Sequence, residues 1–349
     1  MRGKKKMLAS VFARSGVLKA SRMLASGASS RLVVLAYHRV LPAIDASFSG
    51  DEELVSALRD EFEWQVNFLA ANTTPLSIER LLAVLRGDSE LPPRATLITF
   101  DDGCVDAVEH AVPVLRAAGV PATFFVSTGY MGTRRLYWFD EVVHLFSHCS
   151  RSTVSLETLG LELSLPQDRP GRKRAAATVV RSLKLATERV RVEALAELRA
   201  ACGGCLPEEV IESNRPMDWS ELRALADQGM DIGSHSVTHP VLSTLDDSEL
   251  EFELEESRRR IESELSVACQ ALAYPLGGDR GYSVSGAIAV DERVRRATDA
   301  AGYLAAFTYI PGTVRVGRDD PLQMRRVPVE RYLTRDEFAA RLFLPDLFV

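Results

Sequence analysis

The chain has 349 residues, 46% of them hydrophobic, with a net charge of -6 and a pI near 5.7. That length buries a core of barrel size, alone or with an insert, and the acidic balance excludes a nucleic-acid binder as a whole. Five cysteines, odd in number and irregularly spaced, exclude a disulfide framework and suit a reducing compartment.

Residues 1–30 read as a basic amphipathic segment. They open Met-Arg-Gly-Lys-Lys-Lys, and no acid occurs before Asp45. Arg14, Lys19 and Arg22 interrupt the apolar residues, so neither the core of an export signal nor a membrane-spanning helix forms. Leu8, Val11, Phe12, Leu18 and Met23 recur at near-helical spacing between basic residues. Such a helix either lies on an anionic membrane surface or packs on the body of the protein. The expected location is the cytoplasm, with peripheral contact at the inner membrane.

Arg31 to Tyr37 reads as a first buried strand ending at His38. Residues 51–71 read as an amphipathic helix and 78–85 as a shorter one. Ala95 to Phe100 is an apolar, β-branched run of strand length, followed by a helix over 107–118 that stops at Gly119 and a strand over 122–126. Strand, helix and strand in succession imply parallel pairing with right-handed crossovers, and a barrel is the natural closure.

From about 134 to 216 the rhythm breaks in a stretch rich in Arg, Ala, Leu and Glu, read as a helical insertion. It resumes at Trp219 with a helix, a strand over 230–233 and a long acidic helix over 247–265 introduced by Asp246. Strands over 271–274, 305–309 and 324–329 follow, with helices over 292–301 and 334–343. Thr334 and Glu337 form the capping-box pair of the last helix. The body of the protein, residues 31–349, therefore holds about seven strand-plus-helix units.

Two strand ends carry chemistry. Asp101, Asp102 and Gly103 follow the apolar run at once, and like charges this close demand a neighbouring cation or a raised pKa. His235 and His239 lie four residues apart after another strand, a spacing that lets both imidazoles reach one ion. Together they bring two carboxylates and two imidazoles, the ligand set of a borderline divalent metal plus one spare acid. Cys202-Gly203-Gly204-Cys205 has no second pair to complete a zinc ribbon, and Cys104 reads as a small buried residue. His110, His144 and His148 fall on helices outside these stretches and read as surface or insert residues.

Five motifs in order make the chain resemble the polysaccharide deacetylases, the NodB-homology or carbohydrate esterase family 4 group. They are Tyr37-His38-Arg39-Val40, Thr99 to Gly103, Pro121 to Val126, Ser234 to Pro240, and Ala273-Tyr274-Pro275-Leu276-Gly277. The resemblance covers roughly residues 32–345 and implies a distorted (β/α)7 barrel with active residues at the C-terminal ends of its strands. It implies Asp102, His235 and His239 as metal ligands, Asp101 as general base, and the Leu276 N–H as oxyanion donor beside Tyr274. The implied cofactor is a divalent metal, zinc foremost, with cobalt, nickel and manganese compatible. The implied reaction removes an N-acetyl group from an amino-sugar polysaccharide or lipid-linked glycan.

Two departures accompany the resemblance. The family's arginine in the last of these motifs falls on Ala273, which leaves Arg325 or Arg326 to substitute. The family's late histidine, its general acid, is missing, and no histidine follows His239. His38 is the candidate acid, because first and last barrel strands are neighbours on closure. A deformylase acting on a lipid-linked amino sugar, or a barrel that binds carbohydrate without turnover, are the alternatives these departures leave.

Overall fold

The computed structural model describes residues 2–15, 30–44, 48, 50–184, 186–204, 207–275 and 290–349. Seven strands form its centre: β1 (Arg31–Tyr37), β2 (Ala95–Phe100), β3 (Thr123–Val126), β4 (Asp231–Ser234), β5 (Ala271–Ala273), β6 (Ala305–Pro311) and β7 (Met324–Pro328). Each pairs in parallel with the next, and β1 pairs with both β2 and β7, so the sheet closes into the expected (β/α)7 barrel. β1 therefore separates the strand that carries Asp101 from the strand that carries Arg325 and Arg326.

Side chains alternate across each strand, which sorts them into two cores. Leu32, Val34, Leu97, Phe125, Ala271, Ala273, Phe307 and Met324 belong to one buried cluster, together with Leu81 and Leu82 of the helix Ile78–Arg86. The small Ala271, Ala273 and Ala305 leave room there for Phe125 and Phe307, whose ring centroids lie 5.5 Å apart. The intervening residues, among them Val33, Ile98, Phe124 and Leu272, join the larger cluster under the outer helices. Burying one such phenylalanine stabilises the fold by about 1.5–3 kcal/mol. Read forward along each strand, the first set's parity passes through His38, Asp101, His235 and Arg326, so alternation alone aims these four at one end of the barrel.

Two expectations need correction. Residues 51–71 are not one helix: Glu52–Leu54 is a single tight turn capped by Asp51, Val55–Leu58 is a strand beside Arg39–Leu41, and the helix begins at Arg59. Val55 and Ala57 are buried there, and the Ser56 hydroxyl accepts the His38 N–H at 2.9 Å, so tertiary pairing overrides helical propensity. The insertion is not wholly helical. Besides the helices Trp138–His148, Arg169–Lys184, Glu188–Cys202 and Glu208–Asn214, it contains an antiparallel hairpin of Thr153–Leu156 and Leu161–Ser164. His144, read as a surface or insert residue, lies on the first of these insertion helices, buried and stacked against His148.

The insertion is bolted to the barrel by Arg39. Its fully buried guanidinium donates to Asp106 at 2.7 Å and to Asp140 at 3.4 Å, and Asp140 accepts the Asp51 N–H at 2.7 Å. The helix Arg2–Arg14 packs through Ala9 and Phe12 against Ala340 and Phe348, and exposes Met7 and Val11. Among the described residues, no helix is long and apolar enough to cross a membrane.

Candidate active site

Two turns at the strand ends supply the donors. After β2 the chain enters left-handed backbone at Asp102 (φ 73°) and Gly103 (φ 71°). A Cβ at Gly103 would lie 2.8 Å from a Val126 methyl carbon, so both space and dihedral demand glycine. After β4, Ser236 (φ 65°) and His239 (φ 59°) curl the chain back. The segment after β3 buttresses that curl, since the Thr128 and Gly129 N–H groups donate to Ser236 O and Val237 O at 3.1 and 2.8 Å.

These turns bring Asp102, His235 and His239 together, all buried. Asp102 Oδ1 lies 3.5 Å from His235 Nε2 and 3.3 Å from His239 Nε2. His235 Nδ1 faces Ala273 O at 2.7 Å. That bond orients the ring and turns Nε2 toward the carboxylate. Two imidazole nitrogens and a carboxylate converge on one point, a donor set that fits a divalent cation. Burial raises the Asp102 pKa, but the two imidazoles beside it outweigh burial and hold the carboxyl well below the usual range.

Asp101 is held apart from this set by Arg326. Arg326 Nη1 and Nη2 donate to its two oxygens at 2.7 Å each, a bidentate fork between fully buried partners. Nε of the same arginine donates to Thr308 O at 2.9 Å, and Tyr309 covers the guanidinium at 5.5 Å. Burial pushes the Asp101 pKa up, but Arg326 and His235 more than compensate, so the group stays ionised below its ordinary value. Of the two arginines expected to substitute for the one missing at Ala273, Arg326 occupies the place.

His38 lies beside the pair, its Nε2 3.9 Å from Asp101 Oδ2 and its ring edge-on to Tyr309 at 5.5 Å. Burial lowers its pKa, with Asp102 and Asp101 acting against that. Tyr274 lines the same cleft, but its hydroxyl donates to Leu322 O at 2.8 Å, a structural contact. Leu276 and Cys205 lie outside the described residues. Cys104 is buried, and burial raises its thiol pKa. Asp102, His235 and His239 form the one potential metal cluster among the described residues.

Three contributors escaped sequence reasoning. Glu253 of the helix Asp247–Leu265 accepts the N–H groups of Val237 and Thr238 at 2.7 and 2.9 Å and the Thr238 hydroxyl at 2.6 Å. It pins the histidine turn from outside. Tyr137 of the insertion donates its hydroxyl to Asp102 O, and Phe139 packs edge-on against His239 at 5.6 Å. The cleft above the donors has a volume of about 240 Å³.

The family model described as "Polysaccharide deacetylase" matches residues 88–159 and 189–305. The chain is 27% identical over 117 residues to a poly-beta-1,6-N-acetyl-D-glucosamine N-deacetylase of Staphylococcus aureus, 32% of this chain and 40% of that protein. It is 33% identical over 92 residues to the protein of the same description from Escherichia coli, 25% of this chain and 13% of that one. The chain thus aligns with less than half the length of these relatives. Among solved structures, it is similar to a Streptococcus pyogenes deacetylase in complex with acetate, with TM-score 0.58, 15% identity and coverage of 91% and 98% of the two chains. A Bacillus cereus polysaccharide deacetylase gives TM-score 0.54 and 20% identity, covering 89% of this chain and 69% of that one. At such identities these structures establish the shared fold.

Proposed function

The chain belongs to the polysaccharide deacetylase family, and from that premise we propose that it hydrolyses N-acetyl groups from an amino-sugar polysaccharide or lipid-linked glycan. The carrying observation is an ionised, buried Asp101 pinned beside three converging metal donors at the floor of an open cleft. A module that only binds sugar has no use for such a base.

Asp102, His235 and His239 would hold the divalent ion. Two nitrogens and one oxygen suit zinc, and also cobalt, nickel or manganese. When bound, the ion supplies a Lewis acid that activates water and polarises the acetamido carbonyl. Asp101, fixed by Arg326, takes a proton from the attacking water as its oxygen bonds to the acetyl carbon. His38, whose Nε2 lies 3.9 Å from Asp101 Oδ2, protonates the sugar nitrogen as the C–N bond breaks. The products are acetate and a free amine. Tyr274 shapes the wall, and the Leu276 N–H is the proposed oxyanion donor.

The unpaired thiols of Cys104, Cys149, Cys202 and Cys269 support a reducing, cytoplasmic setting. Met7 and Val11, exposed on a helix whose charges are all basic, support contact with an anionic membrane surface, which co-sedimentation with anionic vesicles tests. The function itself is tested by acetate release from N-acetylglucosamine oligomers and lipid-linked precursors, comparing metal-loaded protein with Asp101→Asn. Release should fall by about 10²–10⁴-fold in the variant at unchanged metal content. A stoichiometric metal with no release from any N-acetylated sugar would sink the proposal.

A further inference from the structure

The cleft over the metal donors does not end at the barrel rim. Asp51, Glu53 and Lys184 line it and also line an adjoining groove of about 560 Å³, whose far wall is the insertion helix Arg169–Lys184. That helix carries six basic residues and no acid, in a chain whose net charge is -6.

The charges along the groove are unequally answered. Glu52 is engaged by three cations at once: Arg169 at 3.1 Å, Arg331 at 3.1 Å, and Lys173. Asp51 accepts the Glu53 N–H at 3.0 Å, and among the described residues neither its carboxylate nor that of Glu53 is paired with a cation. Arg174 and Arg181 have no carboxylate partner among the described residues, whereas Arg259 pairs with Glu256 at 2.7 Å and Arg296 with Glu292 at 3.0 Å. Both arginines line the groove, seven residues apart on one face with Ala177 between them. Two helical turns separate their backbones by about 10 Å. An unanswered pair of guanidinium forks beside a small residue, on the wall of a groove that runs into the reaction cleft, is built to receive a multiply charged anion.

We propose that this groove binds a phosphate group carried by the sugar substrate, so that the acetamido group reaches the donors while the phosphate rests on Arg174 and Arg181. The proposal rests on the deacetylase reading for its sugar and on the groove alone for its anion. A substrate rich in free amines, such as a glycan already largely deacetylated, would be repelled by the same wall.

The test uses the full-length metal-loaded protein and three probes: N-acetylglucosamine, N-acetylglucosamine 1-phosphate, and a polyprenyl-diphosphate-linked N-acetylglucosamine in detergent micelles. Equilibrium binding and acetate release are measured for wild type and for Arg174→Ala/Arg181→Ala. The expected result is binding of the phosphorylated probes about 10–100-fold tighter than the neutral sugar in wild type. The double variant should reduce that preference to near parity and leave the neutral sugar unaffected. Equal binding of neutral and phosphorylated sugars by wild type, or a preference that survives in the variant, overturns the proposal. Phosphate preference that depends on the two arginines without acetate release from any probe or from N-acetylglucosamine oligomers keeps the groove assignment and defeats the deacetylase reading instead. Tighter binding of the polyprenyl form than of the soluble phosphate assigns the anion to a lipid carrier, and equal binding assigns it to a soluble sugar phosphate.

Discussion

The turn after β2 and the turn after β4 solve the same problem by opposite electrostatic means. Each carries side chains of the proposed metal site on backbone that L-residues rarely adopt, at Asp102 in one and at Ser236 and His239 in the other. Such conformations cost on the order of 1–3 kcal/mol each and persist only where the surroundings over-determine them. The first turn is fixed by a cation, with Arg326 reaching across from β7 to the carboxylate of Asp101. The second is fixed by an anion, with Glu253 reaching up from a helix to two N–H groups and a hydroxyl. The motif residues supply the chemistry, and residues far away in sequence supply its geometry.

The sharpest way to break this comparison is Arg326→Met. It strands a fully buried carboxylate, and removing one partner of such a pair costs about 3–5 kcal/mol. Urea unfolding should show that loss, and Arg326→Lys should recover part of it, because one ammonium replaces the charge without the fork. Glu253→Gln comes next. It keeps an acceptor but removes the charge, for a loss of about 1–3 kcal/mol in stability. Metal affinity, read by competition with a chelating dye, should drop roughly 10–100-fold as the histidine turn loosens. If Glu253→Gln bound metal as tightly as wild type, the symmetry between the two turns would be false.

The pH-dependent effect belongs to Asp231, at the other end of β4 from the histidines. Burial lifts its pKa to about 6, against the opposing hydrogen bond from the Ile78 N–H at 2.7 Å. The unfolded chain releases that proton near its ordinary value of about 4. Asp231 therefore subtracts stability increasingly as pH climbs from about 4 to about 6, and by a constant amount above that. Asp231→Asn, which retains an acceptor for Ile78, should raise Tm at pH 7 and leave it unchanged at pH 4. An equal shift at both pH values would place the effect in packing rather than ionisation.

What the chain reveals before folding follows the same division. Donors that share a turn are adjacent in sequence, so Asp101, Asp102, His235 and His239 were legible from residue type and spacing. Arg326 was narrowed to one of two residues, and strand parity with the buried Met324 decides between them. Glu253 was lost in an acidic run, yet it stands with Leu250, Leu254, Ser257 and Ile261 on the buried face of its helix. A glutamate within an apolar stripe was the available signal. The hairpin over 153–164 likewise announced itself by alternation, with Val154 and Leu156 buried between exposed neighbours. Helical composition on both sides concealed it. The strand at Val55–Leu58 gave less warning, because its partner Arg39–Leu41 is a tertiary neighbour that no local pattern names.

The fork between Arg326 and Asp101 also sets a clock. Its partners are 225 positions apart, so on the ribosome the carboxylate emerges long before the arginine does. At about 5–20 residues per second the interval is roughly ten to forty-five seconds. Through that time Asp101 lacks its cation, and for more than half of it Asp102 also lacks the imidazoles of His235 and His239. The barrel cannot close until β7 docks beside β1, a contact of high sequence separation and hence slow to form. The nascent chain therefore lacks the fork around the proposed base, which forms only when the last strand is in place.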